Sequence, residues 1–148
     1  MRAVFICSGN ICRSPMAERI FAHELRERGR KGVAISMSTL GLHGRAASSN
    51  ARAAVEELGI SLSGHRSQAV SAGLLGHADV IFVMEQAHRD YVLRAAPAVG
   101  PRVILMGALD PEGGPAEVDD PVGQPIEAFR ICRDRIYRAL NAWMDANE

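Results

Sequence analysis

The chain has 148 residues, 47% of them hydrophobic and 23% charged, and its 17 basic residues are matched by 17 acidic ones. That is enough chain for one globular domain, residues 1–148, with a real core. The absence of net charge leaves no overall field to draw the protein to nucleic acid or to a membrane surface.

Three cysteines, an odd number, do not make a disulfide framework. The opening "MRAVFIC" is too short and too little charged for a secretory signal, and no stretch reaches the roughly 18 apolar residues of a membrane span. The expectation is a cytoplasmic protein with reduced thiols. All but one of the basic residues are Arg, a bias that a GC-rich genome explains without any phosphate ligand.

In chain order, "AVFIC" (3–7) is short, β-rich and apolar throughout, as in a strand buried on both faces. From Pro15 the period changes to helical, with Met16, Ile20, Phe21 and Leu25 on one face and Gly29 as the stop. "VAISMST" (33–39) reads as a second strand and "NARAAVEEL" (50–58) as a second helix ending at Gly59. "ADVIFVM" (78–84) is a third strand, "QAHRDYVLRAA" (86–96) a helix stopped by Pro97, and "RVILM" (102–106) a fourth strand. A Gly/Pro/Asp-rich stretch over 107–125 follows, of a length that in compact domains is functional or disordered. A final helix from about Pro125 carries Ile126, Phe129, Cys132, Ile136, Leu140 and Trp143 as its buried stripe. Strands alternating with helices predict a parallel α/β sheet, whose ligands collect at the carboxyl ends of the strands. Cys7 stands at such an end.

The stretch "CSGNICRSP" (7–15) has the parts of an anion site. A strand delivers Cys7, five residues make a tight loop, and a helix starts where Pro15 suits the first turn. Backbone N–H groups of such a loop point inward, and the helix N-terminus adds its dipole. Gly9 and Asn10 are the residues that best tolerate left-handed backbone angles. Arg13 offers two parallel N–H bonds to phosphate oxygens. The same positive surroundings favour the thiolate of Cys7, the form in which sulfur is a nucleophile. Spacing alone is weak: Cys132 and Arg138 repeat it, but inside an amphipathic helix without glycine or a preceding strand, so Cys132 reads as core.

The motif closely resembles C-x-G-N-x-C-R-S-P, the signature of the low-molecular-weight protein tyrosine phosphatases, and the resemblance extends over nearly the whole chain. It implies a Rossmann-like four-stranded parallel sheet in the order 2-1-3-4 with helices on both faces. It implies Cys7 as nucleophile, Ser8, Gly9, Asn10, Ile11, Cys12 and Arg13 as the phosphate-binding loop, Arg13 as clamp and Ser14 as a hydrogen-bond donor to the thiolate. Asn10 would pin the loop backbone in a network with Ser38 and His65. Asp120, the Asp before Pro in "VDDPVG", would be the general acid, ahead of Asp119 and of Asp110 in "LDP"; turn chemistry explains all three residues equally well on local grounds. Cys12 is either a small packed residue or, as the family uses it, a reversible disulfide partner of the nucleophile.

No metal and no cofactor is expected: the cysteines lack clustered histidines, and Lys31, the only lysine, is not part of a nucleotide-binding G-K-[ST]. The expected activity is hydrolysis of phosphotyrosine in proteins through a phosphocysteine, releasing inorganic phosphate, by a monomer or weak dimer. The alternative is a protein arginine phosphatase. Val122 and Gly123 after the Asp-Pro, where relatives often carry two aromatics, point that way, whereas Ile11 is the tyrosine-type residue at its position. Arsenate reduction lacks the further cysteines it needs between residues 66 and 131, and a non-catalytic phosphate-binding module is at odds with the complete Cys7, Arg13 and Asp120 set.

Overall fold

A computed structural model describes all residues, 1–148. Four parallel strands, β1 (Arg2–Cys7), β2 (Val33–Ser38), β3 (Val80–Val83) and β4 (Val103–Leu105), form one sheet in the order β2-β1-β3-β4. Five helices join or flank them: α1 (Arg13–Glu27), α2 (Ser49–Glu56), α3 (Ala72–Gly76), α4 (Gln86–Ala95) and α5 (Ile126–Ala146). The single-domain α/β architecture and strand order match the sequence expectation.

From Ala3 onward β1, like all of β3, is apolar because both of its faces are covered. On one face Phe5 stacks on Phe82 at 5.1 Å between ring centroids, and Trp143 of α5 meets Phe82 edge-on at 5.2 Å. Met16, Ile20, Phe21 and Leu25 of α1 and Phe129, Cys132, Ile136 and Leu140 of α5 complete this core, while Val4, Ile6, Ile81 and Val83 face a smaller one with Leu75 and Val92. No helix is long and apolar enough to cross a membrane.

Departures from the predicted elements have local causes. Pro97 and Pro101 wind residues 97–102 into a 3-10 segment that takes Arg102, and a second 3-10 turn takes Met106, leaving β4 three residues. The Gly-rich α3 is too short to show a helical period and escapes a pattern reading. The long stretch after β4 is ordered, beginning with a 3-10 turn at Met106–Leu109. Arg135 of α5 gathers the carbonyls of Gly107, Glu117 and Pro115. Gly107 allows this approach, since a methyl there would lie 2.5 Å from the carbonyl oxygens of Pro115 and Ala116.

β1 pairs with β2 on one side and β3 on the other, and the chain reverses its winding direction between β1 and β3. The carboxyl ends of these two strands therefore bound the crevice where α/β sheets bind ligands. Cys7 closes β1, and Glu85 follows shortly after β3.

Candidate active site

Cys7 is the last residue of β1, Arg13 the first of α1, and Ser8–Cys12 curl between them. The backbone amides of Gly9, Ile11, Cys12 and Arg13 find no acceptor within the chain. They are donors left over for an anion at the helix N-terminus. Asn10 has a positive φ of 56°, the one non-glycine residue to do so. Three contacts hold it there. Its Oδ1 accepts the Gln68 amide at 3.0 Å, its carbonyl accepts from His65 Nε2 at 2.7 Å, and its Nδ2 donates to Ser14 Oγ at 2.9 Å. Ser38 holds the loop one turn earlier, donating its hydroxyl to the Ser8 carbonyl at 2.6 Å.

The Ser14 hydroxyl also lies 2.9 Å from Cys7 Sγ. Because Asn10 Nδ2 already occupies an acceptor site on that oxygen, the hydroxyl proton is free to point at sulfur. The Asn10 amide donates to the same Sγ at 3.2 Å.

Arg13 is buried, with its side chain 1% exposed. Its Nη1 donates to Glu85 Oε2 at 2.6 Å and to the Val118 carbonyl at 2.7 Å. Burial works against its charge, but Cys7, Glu85 and Asp120 together raise its pKa above the ordinary value. Its Nη2 stands 3.5 Å from Asp120 Oδ2. Asp120 is partly exposed, and its other oxygen accepts the Val122 amide at 3.1 Å, the turn bond expected of an Asp before Pro. The Val118 amide bonds the Met84 carbonyl at the end of β3, which fastens the Asp120-bearing loop beside the crevice.

The two rivals are elsewhere. Asp110 is closed in an ion pair with Arg138 and Arg135, which holds its carboxyl below the usual carboxylate range, Arg138 being the main cause. Asp119 is exposed and pairs with no side chain.

Cys12 is packed beneath the loop with its thiol 3.4 Å from Ser48 Oγ, and burial pushes its pKa up to about 11. Ser48 also caps α2 by accepting the Ala51 amide and donates its own amide to the Ile11 carbonyl, so α2 braces the loop from behind. Cys132 is core, its thiol raised by burial to about 12. No group of His, Cys, Asp or Glu is arranged to hold a metal ion.

Glu85, His88, Gln68 and Ser48 are the loop's partners that sequence reasoning missed. Only Glu85 carried a signal, its place just past the end of a buried parallel strand.

A parallel sheet that presents a cysteine, a ring of free amides and a buried arginine in one crevice belongs to a cysteine-dependent phosphatase. The chain belongs to the low molecular weight phosphotyrosine protein phosphatase family, whose sequence model matches residues 2–148. It is 32% identical over 142 residues to the low molecular weight protein-tyrosine-phosphatase Wzb of Escherichia coli K12, covering 95% of this chain and 91% of that one. The crystal structure of the tyrosine phosphatase AmsI of Erwinia amylovora superposes with a TM-score of 0.88 at 31% identity, over 98% of this chain and 91% of the other. An arginine phosphatase, YwlE, solved as a variant with a phosphorylated active-site serine, gives a TM-score of 0.89 at 26% identity, over 99% and 95% of the two chains.

Proposed function

We propose that this phosphatase hydrolyses phosphotyrosine in proteins, with Cys7 as nucleophile, Arg13 as phosphate clamp and Asp120 as general acid and base. The loop amides take the phosphate oxygens, and Arg13 Nε and Nη2, whose one contact is the 3.5 Å ion pair of Nη2 with Asp120, are the donors left to clamp the same anion. Cys7 Sγ attacks phosphorus, the bond to the tyrosyl oxygen breaks, and Asp120 gives that oxygen its proton. The Asp120 carboxylate then takes a proton from water, which attacks the phosphocysteine. The P–S bond breaks, inorganic phosphate leaves and the thiolate, held by Ser14 and the Asn10 amide, is restored. The phosphorylated serine of YwlE, reached by a comparable chain, supports covalent transfer to the residue at this position. We place the enzyme in the cytoplasm, as a monomer or weak dimer.

The rim of the crevice carries the choice of tyrosine. A methyl placed on Gly9 would meet Ile11 Cγ1 at 3.5 Å and Leu42 Cδ1 at 3.8 Å, so both aliphatic side chains lie against the loop at Gly9. They give a ring an apolar wall and give a guanidinium no hydrogen-bond partner. The arginine phosphatase reading rests on YwlE and on Val122 and Gly123. Kinetics on matched phosphotyrosine and phosphoarginine peptides decide between them, with a higher kcat/KM on phosphotyrosine expected and the reverse order overturning the proposal.

A further inference from the structure

One buried titratable group takes no part in the chemistry. His88, in the first turn of α4, is 3% exposed. Its Nδ1 accepts the Glu85 amide at 3.1 Å, and its Nε2 lies 2.9 Å from Ser8 Oγ. A backbone N–H only donates, so Nδ1 carries no proton. The ring proton is therefore on Nε2 and is given to the Ser8 hydroxyl. Four charged groups face this ring: Arg13 from α1, Glu85 from its own turn, and Asp120 and Glu117 from the loop after β4. Glu85 Oε2 is 3.8 Å from Nε2.

Ser8 opens the phosphate loop and Arg13 ends it. Both are tied to the same four-residue turn, Ser8 through His88 and Arg13 through Glu85. We propose that His88 is a positioning residue of the phosphate loop, its neutral Nε2–H ring clamping Ser8 to the turn of α4 that holds Arg13. This rests on the phosphatase reading of the loop. The clamp fixes the start of the amide ring relative to the guanidinium, a distance a phosphate dianion must match at both ends. A second ring proton would break the Glu85 bond and put a cation beside Arg13. Burial, helped by Arg13, accordingly pushes the ring pKa down to about 4.

The test uses inorganic phosphate as a competitive inhibitor of aryl phosphate hydrolysis, with unfolding in urea followed in parallel. The Gln side chain sets an amide nitrogen where Nε2 stands, and the Asn side chain sets an oxygen where Nδ1 stands. His88→Asn and Ser8→Ala should each weaken phosphate inhibition by about 5-fold, the worth of one hydrogen bond. The pair combined should do no worse than either alone. His88→Gln should keep wild-type inhibition even where it loses stability. Nitrogen NMR of the unaltered enzyme at pH 6 should find the ring neutral and protonated at Nε2. The proposal is overturned if His88→Gln loses as much inhibition as His88→Asn, if the double variant is additive, or if the ring is an imidazolium or carries its proton on Nδ1. Failure of the phosphatase reading looks different, because the wild type would then neither turn over the aryl phosphate nor bind phosphate.

Discussion

Arg138 closes the carboxylate of Asp110 in a two-pronged grip, Nε to Oδ1 at 3.0 Å and Nη2 to Oδ2 at 2.9 Å. That grip separates two Asp-Pro pairs that are indistinguishable over their own few residues. A general acid has to reach the leaving oxygen, and Asp110 is spent on holding the long loop to α5. Asp120→Ala should therefore lower kcat by roughly 10²-fold or more. The loss should shrink for aryl phosphates whose leaving group scarcely needs a proton. Asp110→Asn and Asp119→Asn should keep most of their turnover. A larger kcat loss in the Asp110 variant than in the Asp120 variant would reverse the assignment.

Asp110 should instead show itself in stability. Breaking a buried ion pair costs about 3–5 kcal/mol, and because Arg138 is 34% exposed we expect Asp110→Asn to lose about 2 kcal/mol. For a domain of this size that is a fall in Tm of roughly 4–8 °C. The pH dependence has a definite sign. The folded-state carboxyl is held below its unfolded value of about 3.9, so its contribution is complete above that pH and is lost as the pH falls through the lowered value. Urea unfolding between neutral pH and pH 3 should accordingly fall less steeply for Asp110→Asn than for wild type. Parallel curves would show that Asp110 is not acid-linked.

Thiol chemistry gives an independent check on the nucleophile. Burial raises Cys12 to about 11 and Cys132 to about 12, so at neutral pH both should react slowly with an external alkylating agent. Iodoacetamide at pH 7 should label Cys7 first, inorganic phosphate should protect it, and Cys12→Ser should keep its activity. Peroxide should oxidise Cys7 to the sulfenic acid, which condenses with the neighbouring Cys12 thiol with loss of water to give a disulfide that an added thiol reduces. Cys12→Ser should then be inactivated irreversibly under doses from which the wild type recovers. Equal recovery would leave Cys12 as packing only.

Much of this was legible in the sequence. Unbroken apolar runs located β1 and β3 because both their faces are buried, and the contrast between loop and helix context separated Cys7 from Cys132. What stayed hidden lies far along the chain. Glu85 and His88 reach Arg13 and Ser8 only through the pairing of β1 with β3, and beyond Glu85's place just past β3 nothing local to "MEQAH" announces it. The two Asp-Pro pairs differ through Arg135 and Arg138, which α5 brings back to Asp110, and through Arg13, which stands beside Asp120. His65 and Ser38 likewise come from distant segments to the loop, at the carbonyls of Asn10 and Ser8 respectively.

Loop geometry sets the next expectation. Asn10 holds a left-handed backbone and points Ser14 at sulfur, two tasks that Ala cannot perform. Asn10→Ala should lower kcat/KM by about 10²-fold, and Ser14→Ala, which leaves the backbone alone, by about 10-fold. A Ser14→Ala loss exceeding that of Asn10→Ala would mean that the hydroxyl, not the backbone, dominates.

Stacking on an aromatic wall is worth about 0.5–1.5 kcal/mol per ring pair beyond burial, and the side chains beside Gly9, Ile11 and Leu42, are aliphatic. Phosphotyrosine should bind with a higher KM here than in relatives that have aromatic walls. Leu42→Trp should lower KM for phosphotyrosine peptides, and Ile11→Thr should shift preference towards phosphoarginine by offering the guanidinium a hydroxyl. An unchanged preference in Ile11→Thr would place the selection elsewhere.

The most direct test of the proposed chemistry is rapid quenching of a phosphotyrosine peptide reaction, with the phosphoryl group located by mass spectrometry. Asp120→Ala is the variant to use, because both protonation of the leaving group and activation of water are slowed while attack by sulfur is still possible. A phosphoryl group on the Cys7 peptide, lost on longer incubation as inorganic phosphate appears, is the predicted result. A phosphoryl group on Cys12, or product released with no covalent adduct at any time, would contradict it.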